Sequence, residues 1–154
     1  MSTIVLALLI GIVAGSRAMM APTAVSWAAR LGWLHLGTTP LAFLGFAYTP
    51  WILTLLALGE LVTDQLPSTA SRTVPMQFGA RLVSGALSGA AIGISAGALF
   101  AGLSGGIAGA VIGTLGGSAV RGRLAAAFGN DHPAAFLEDA IAIVLSLVVC
   151  AALP

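Results

Sequence analysis

The sequence predicts an all-α fold: a polytopic membrane helix bundle of about six transmembrane segments, with five as the alternative, in a single domain covering residues 1–154. Of the 154 residues, 58% are hydrophobic and only 7% are charged. A soluble domain carries roughly 25% charged residues, so this composition leaves too few charges to cover a water-exposed surface. Glycines at regular four-residue spacing, described next, are the second observation that favours a membrane bundle.

Eight glycines share one four-residue spacing, and Ala101 occupies the position between the two groups of four. The glycines are Gly85, Gly89, Gly93, Gly97, Gly105, Gly109, Gly113 and Gly117. This spacing places a smooth strip along a helix face, which lets a second helix backbone approach closely, as helices do in lipid. A single straight helix from Gly85 to Gly117 would be about 50 Å long, against a hydrocarbon core of about 30 Å. The spacing therefore predicts a helical hairpin that turns near Ser104 to Gly106 and packs through its glycines.

Polar or helix-breaking residues divide the chain into six apolar segments: residues 3–15, 18–34, 41–62, 82–103, 105–120 and 134–153. The first two segments are short and are separated by Gly15, Ser16 and Arg17, so they form either two short helices or one broken span. Pro22 fits the first turn of the second helix, because its missing N–H costs nothing there.

Proline and polar residues predict the remaining boundaries. Thr39 followed by Pro40 is typical of a helix start, and Pro50 predicts a kink inside the third segment. The polar stretch from Asp64 to Gln77 and the stretch from Gly129 to Pro133 predict loops outside the lipid.

The six arginines indicate how the bundle is oriented. With six crossings, all but Arg30 fall on one side of the membrane, which the positive-inside rule makes cytoplasmic. The five on that side are Arg17, Arg72, Arg81, Arg121 and Arg123. Both termini then lie outside. With five crossings the N-terminus moves inside, and Arg17 lies at membrane depth.

The five acidic residues fall on the same side as these arginines. Glu60 and Asp64 are four residues apart and share one face at the end of the third helix, whereas Glu138 and Asp139 open the last helix. Ionised groups below the interface cost several kcal/mol and so are candidates for an ion or substrate path. Glu60, about one turn inside its helix end, is the first such candidate. The residues we predict to form a polar or transport cluster are Arg17, Glu60, Asp64, Arg72, Arg81, Glu138 and Asp139. Interfacial anchoring and interhelix ion pairing are the alternative role.

Several other site types are disfavoured. The chain has one cysteine, Cys150, in an apolar run, which excludes an intrachain disulfide. His132 and His35 fall on opposite sides, so we expect no metal or other cofactor. Ser16, Ser68 and Ser71 have no adjacent histidine, and the low net charge of +1 gives no basic surface for nucleic acid.

Three motifs resemble one family. They are residues 11–17 followed by Ala21-Pro22, residues 57–67 (ALGELVTDQLP) followed by Ser71-Arg72-Thr73, and residues 137–140 (LEDA). Together they resemble the small bacterial membrane proteins grouped as domain-of-unknown-function family 4126. The resemblance implies an integral membrane protein of unknown activity in the bacterial plasma membrane. It makes Arg17, Glu60, Asp64, Arg72, Glu138 and Asp139 motif positions, and it implies no reaction.

Three functions remain open on this sequence. The first is a small transporter or channel for an ion or small solute, using the charged cluster and a homo-oligomer joined through glycine faces. The second is a non-catalytic membrane scaffold or accessory subunit whose ion pairs hold the helices together. The third is an enzyme on lipid head groups that uses His132 with Glu138 or Asp139 as acid and base. Membrane lipids are partners in every case.

Overall fold

The computed structural model describes residues 1–66 and 71–153, whose regular secondary structure is all helical, with no strand among them. The helices are α1 (Thr3–Ser16), α2 (Met20–Arg30), α3 (Thr49–Thr63), α4 (Pro75–Ser95), α5 (Leu99–Phe128) and α6 (Asp131–Ala151), with a short 3-10 helix at Pro40–Gly45 between α2 and α3. The all-α prediction is confirmed. The predicted loop residues Pro67 and Ser68 lie outside the described residues.

Three helices, α4, α5 and α6, are long and apolar enough to cross a membrane, and α1 and α3 are shorter apolar helices. Large apolar side chains point outward on α3 and α6, among them Leu55, Phe136 and Leu147. In water such a surface would drive aggregation, whereas in lipid it is the expected exterior. The chain is therefore a membrane protein.

Successive helices alternate in direction, so the chain has two opposite ends. One small cavity is lined by residues from both termini, Met1 and Leu153, and from two connections, Leu34 after α2 and Ala96 between α4 and α5. We call this end of the bundle the terminal end. Arg17, Asp64 and Asp139 are joined by ion pairs at the opposite end, which we call the charged end. It follows that α1 and α2 are antiparallel and that the chain reverses at Arg17.

Helix α1 is the centre of the bundle. Its residues Ile10, Val13 and Ala14 have almost no exposed surface, and its neighbours are α4, α5 and α6. Glycines allow this packing: a Cβ added to Gly106 of α5 would overlap the carbonyl of Gly85 on α4, and one added to Gly11 of α1 would overlap the carbonyl of Gly106. Three helix backbones therefore meet at Gly106, where a larger side chain has no space.

The predicted hairpin turn near Ser104 is wrong. Helix α4 ends at Ser95 and α5 begins at Leu99, so residues 104–106 lie within α5. Gly97 has a φ of +68°, a left-handed conformation that ends a helix at little cost for glycine. The turn thus comes about two helical turns earlier than the predicted position near Ser104.

The early turn changes which glycines face each other. Gly85, Gly89 and Gly93 of α4 pack against Gly102 and Gly106 of α5, two glycines outside the predicted series. The second group of four instead turns toward other neighbours: Gly105, Gly109 and Gly113 contact α1, and Gly117 lies beside Glu138 and Arg72. The glycine strip on α5 therefore has two sides, one for α4 and one for α1.

The predicted third segment, residues 41–62, is also divided. A 3-10 helix begins at Pro40, and α3 begins separately at Thr49. Pro50 falls in the first turn of α3, where its missing N–H is tolerated, so the predicted internal kink is replaced by a helix start. Proline has the same role at the start of α4, since Pro75 begins that helix and places Gln77 inside it.

Candidate functional site

The predicted charged residues come together where α1 and α2 reverse direction at the charged end. Arg17 lies in the three-residue break between the two helices, with an extended backbone (φ −138°, ψ 108°). A helix end leaves backbone N–H or C=O groups without partners, so a reversal inside a packed bundle needs other groups to satisfy them. Charged side chains from α3, α4 and α6 surround this break.

The Arg17 side chain is fully buried and bridges two helices. Its Nε donates a hydrogen bond to Asp139 Oδ1 of α6 at 2.6 Å, and its guanidinium forms ion pairs with Asp139 and with Asp64, at the C-terminus of α3. Both carboxylates are only 13% exposed. Arg17 therefore ties α3 and α6 to the tip of the α1–α2 hairpin.

Arg81 satisfies the C-terminus of α1. Its Nη1 donates hydrogen bonds to the carbonyl oxygens of Gly15 at 2.7 Å and Ser16 at 2.6 Å, and Thr114 Oγ1 donates to the Gly15 oxygen at 3.2 Å. A cation is favourable at this position because the C-terminal carbonyls carry partial negative charge. A helix end that would otherwise be unsatisfied is thus neutralised from α4 and α5.

Glu60 satisfies the N-terminus of α2. Its two carboxylate oxygens accept hydrogen bonds from the backbone N–H groups of Ala18 at 2.7 Å and Met19 at 2.8 Å. Its Oε1 also lies 4.0 Å from Nη2 of Arg81. An anion is favourable here for the converse reason, since the first N–H groups of a helix carry partial positive charge. The two ends of the break are therefore held by side chains of opposite charge.

A second group of ion pairs joins α6 to the 64–74 connection and to α5. Arg72 Nη2 donates to Glu138 Oε2 at 2.9 Å, and a second contact joins Nη1 and Oε1 of the same pair. Arg121 Nη1 lies 3.5 Å from Glu138 Oε2, and its Nε donates to Asp131 Oδ1 at 2.9 Å. Glu138 thus receives one arginine from each side.

His132 lies at the edge of this network. Its Nδ1 is 3.2 Å from Gln65 Oε1, and Gln65 Nε2 donates to Asp139 Oδ2 at 3.4 Å. An exposed imidazole is therefore connected to Asp139, one of the two carboxylates that pair with Arg17. Within residues 1–66 and 71–153, no group of three His, Cys, Asp or Glu side chains is arranged to hold a metal ion.

An open pocket of about 380 Å³ lies against the ion pairs at the charged end. Of the seven predicted cluster residues, Asp64, Arg72 and Arg81 line it. The pocket is lined by Asp64, Leu66, Ser71, Arg72, Gln77, Arg81, Ser118, Arg121, Gly122 and Asp131. Glu60, predicted as the first candidate for an ion path, contacts the backbone of the α1–α2 break instead, and Asp64 is the acid that borders both Arg17 and the pocket.

Four residues that take part in this site were not predicted from the sequence to do so: Gln65, Thr114, Arg121 and Asp131. Arg121 and Asp131 are ten residues apart and come together only because α5 ends at Phe128 and α6 begins three residues later. Thr114 is one of three hydroxyl residues in α5, with Ser104 and Ser118, and its fully buried position depends on the reversal of α1. No family model, curated protein or solved structure matches the chain.

Proposed function

We propose that this chain is a multi-pass transporter or channel for an ion or small solute in the bacterial plasma membrane, with the charged end on the cytoplasmic side. The observation that carries the proposal is a network of largely buried charges beneath a polar pocket, at the break between two helices. Discontinuous helices whose ends are held by charged groups are typical of ion and substrate sites in transporters.

The position of the network along the bundle supports a depth near one boundary of the hydrocarbon, and the arginine distribution makes that boundary the inner one. From Leu99, at the terminal end, to Gly117, beside Glu138 and Arg72, α5 rises about 27 Å, close to the ~30 Å thickness of a hydrocarbon core. The remaining residues of α5, 118–128, extend about 16 Å further, into the head groups and water. We infer that the network lies near the inner boundary of the hydrocarbon and that the pocket opens toward the cytoplasm.

The burial of Arg17 favours function over simple cohesion. Removing an ion pair from water costs several kcal/mol per ion, which the attraction between the two charges only partly offsets or just balances. Apolar residues of similar volume often stabilise a protein as well as a buried ion pair does, or better. Ionisable groups placed inside a membrane bundle are therefore candidates for a proton or cation path. Asp64, between the buried arginine and the open pocket, is the residue from which an ion or proton would enter.

We expect Asp64→Asn to abolish transport. Amide replacement removes the negative charge and the proton-accepting oxygen at the boundary between pocket and network, while nearly conserving side-chain shape. The measurement is proton flux into liposomes that contain purified protein and an entrapped pH-sensitive dye, driven by a potassium diffusion potential. In the variant, flux falls to that of protein-free liposomes.

The control for this experiment is Arg123→Gln, which changes an exposed charge on α5 outside the ion pairs described above. Its flux should equal that of the wild type. Wild-type-like flux in Asp64→Asn, with normal folding by circular dichroism, would remove Asp64 from the mechanism. Absence of flux in the wild type for protons and for alkali cations would count against the proposal itself.

A non-catalytic scaffold is the second candidate, because the network is closed in this conformation. Arg17 has no exposed surface and two carboxylate partners, and both oxygens of Glu60 are occupied by backbone N–H groups. On this proposal, the charges fix the α1–α2 hairpin against α3, α4 and α6. Variants would then lose thermal stability without any transport phenotype.

We predict six crossings, since antiparallel α1 and α2 support two crossings of the first 34 residues over one broken span. The test is cysteine labelling in a Cys150→Ser background with a membrane-impermeant maleimide applied to intact spheroplasts. Ser2→Cys should react from outside, and Gly122→Cys should react only after permeabilisation. Reaction of Ser2→Cys only after permeabilisation would favour five crossings.

The proposed family and assembly follow from the same features. We propose membership of domain-of-unknown-function family 4126 on the motif residues, all six of which take part in the ion pairs or caps: Arg17, Glu60, Asp64, Arg72, Glu138 and Asp139. Homo-oligomerisation through the glycine faces is disfavoured, because those glycines pack within one chain. We propose that any homo-oligomer forms instead through the exposed apolar faces of α3 and α6.

A further inference from the structure

We propose that the pocket at the charged end binds a phosphate-type oxyanion through Arg81, assisted by Arg72 and Arg121. This inference concerns binding and goes beyond the proposed transport, because it holds whether or not the bound group crosses the membrane.

The first argument is an unused hydrogen-bond donor. Arg81 is only 3% exposed and lines the pocket. Its Nη1 is occupied by the carbonyls of Gly15 and Ser16, whereas its Nε has no hydrogen-bond partner among residues 1–66 and 71–153. Leaving a buried charged donor without an acceptor is costly, so native proteins rarely do so. The Nε atom itself lies below the surface, so an acceptor in the pocket removes this cost once the Arg81 side chain turns toward it.

The second argument is the balance of charge around the pocket. Three arginines and two aspartates line it, which gives a net charge of +1 (3 − 2). Both aspartates are already engaged, Asp64 by Arg17 and Asp131 by Arg121. Arg72 and Arg121 are engaged as well, both by Glu138, so Arg81 is the arginine of the pocket that keeps, within the part of the chain that the structure describes, an unpaired donor for an anion. Planar guanidinium groups match the oxygens of phosphate better than the point charge of an ammonium does.

The third argument is size. At about 380 Å³, the pocket has a volume within the range of small-molecule sites, whereas a bare ion needs far less. The neutral polar side chains of Ser71, Gln77 and Ser118 line the same pocket and can hydrogen-bond hydroxyl groups attached to a phosphate. A phosphate carrying a small polar group therefore fits better than an isolated anion.

Two sources supply this chemistry. The α5 residues that line the pocket, from Ser118 to Gly122, lie about 29–35 Å along the helix from Leu99, near the depth at which lipid phosphates sit, so the head group of an anionic lipid is one source. A soluble phosphate from the cytoplasm is the other. Both present the same oxygens to the same guanidinium groups.

The experiment measures binding without flux, so a negative result here and a negative transport assay are separate findings. Purified protein in neutral detergent is titrated with inorganic phosphate, and separately reconstituted in nanodiscs of phosphatidylcholine with or without phosphatidylglycerol. The readout is the thermal unfolding midpoint. We expect it to rise with phosphate, with phosphatidylglycerol, or with both, and the arm that responds identifies the source.

Two variants test the site. Arg81→Lys keeps a cation that reaches the α1 carbonyls but lacks Nε, and Gln77→Glu adds a negative charge at the half-buried pocket wall without touching the ion pairs. Each should weaken phosphate affinity at least about tenfold, Arg81→Lys through the loss of one charge-assisted hydrogen bond and Gln77→Glu through repulsion of the anion. Arg123→Gln should bind as the wild type does. The proposal is overturned if no arm raises the thermal unfolding midpoint. It is also overturned if Gln77→Glu, which leaves the contacts of Arg81 with α1 in place, binds phosphate as the wild type does.

Discussion

Gly106→Ala is expected to destabilise the protein by about 3 kcal/mol or more, the upper range for overpacking a close contact. A Cβ at Gly106 would overlap the carbonyl of Gly85 and would lie within 3.0 Å of Gly89 Cα. These are backbone atoms of α4, so no side-chain rotation relieves the clash. Because the opposite side of Gly106 contacts Gly11 of α1, α5 has no direction in which to move.

The matched control for this prediction lies on the same helix. Gly116 has no atom within 4 Å of an added Cβ, so Gly116→Ala meets open space and should stabilise the helix by up to about 1 kcal/mol. Unfolding by SDS in mixed micelles, followed by circular dichroism, compares the two substitutions. Equal stability of the two variants would mean that α1, α4 and α5 do not meet at Gly106.

The sequence predicts the fold class, because its high apolar and low charged content indicates a helix bundle in lipid. Each apolar segment contains or overlaps a helix, but the helix ends differ from the predicted bounds by up to eight residues, because tertiary packing also decides where a helix ends. The hairpin turn was misplaced because the glycine spacing is local, whereas the choice of partner for each glycine depends on α1. Gly97 belongs to the four-residue series and Gly102 does not, yet Gly97 ends a helix with φ +68° and Gly102 packs against Gly93.

At the candidate site, the sequence indicates which charges share an end but not which of them pair. Glu60 and Asp64 are one helical turn apart and appear interchangeable, but Glu60 binds the backbone of α2 and Asp64 binds Arg17. Their roles differ because the α1–α2 hairpin reverses beside α3, a tertiary feature without a local signal. Arg121 and Asp131 become partners for a similar reason, at the tight connection between α5 and α6.

Arg17→Gln should have the second large effect, a loss of about 3–5 kcal/mol of stability. The substitution leaves Asp64 and Asp139, each 13% exposed, without their shared cation and facing each other at the tip of the α1–α2 hairpin. Glutamine supplies one amide donor where the guanidinium contacted two carboxylates. The loss is measured by the same SDS unfolding, and a change below about 1 kcal/mol, the scale of an exposed ion pair, would show that the network is solvated.

A triple variant, Arg17→Met with Asp64→Asn and Asp139→Asn, distinguishes the two proposed functions. It removes one positive and two negative charges together, so no uncompensated charge stays buried, and we expect most of the stability lost in Arg17→Gln to return. If the network only holds helices, the triple variant should show the same flux as the wild type, whatever its remaining loss of stability. If Asp64 and Arg17 form an ion path, the variant should fold normally and carry no proton flux. A stable triple variant without flux would contradict the scaffold proposal. In that variant the helices still hold together, so the loss of flux would follow from the loss of the charges alone.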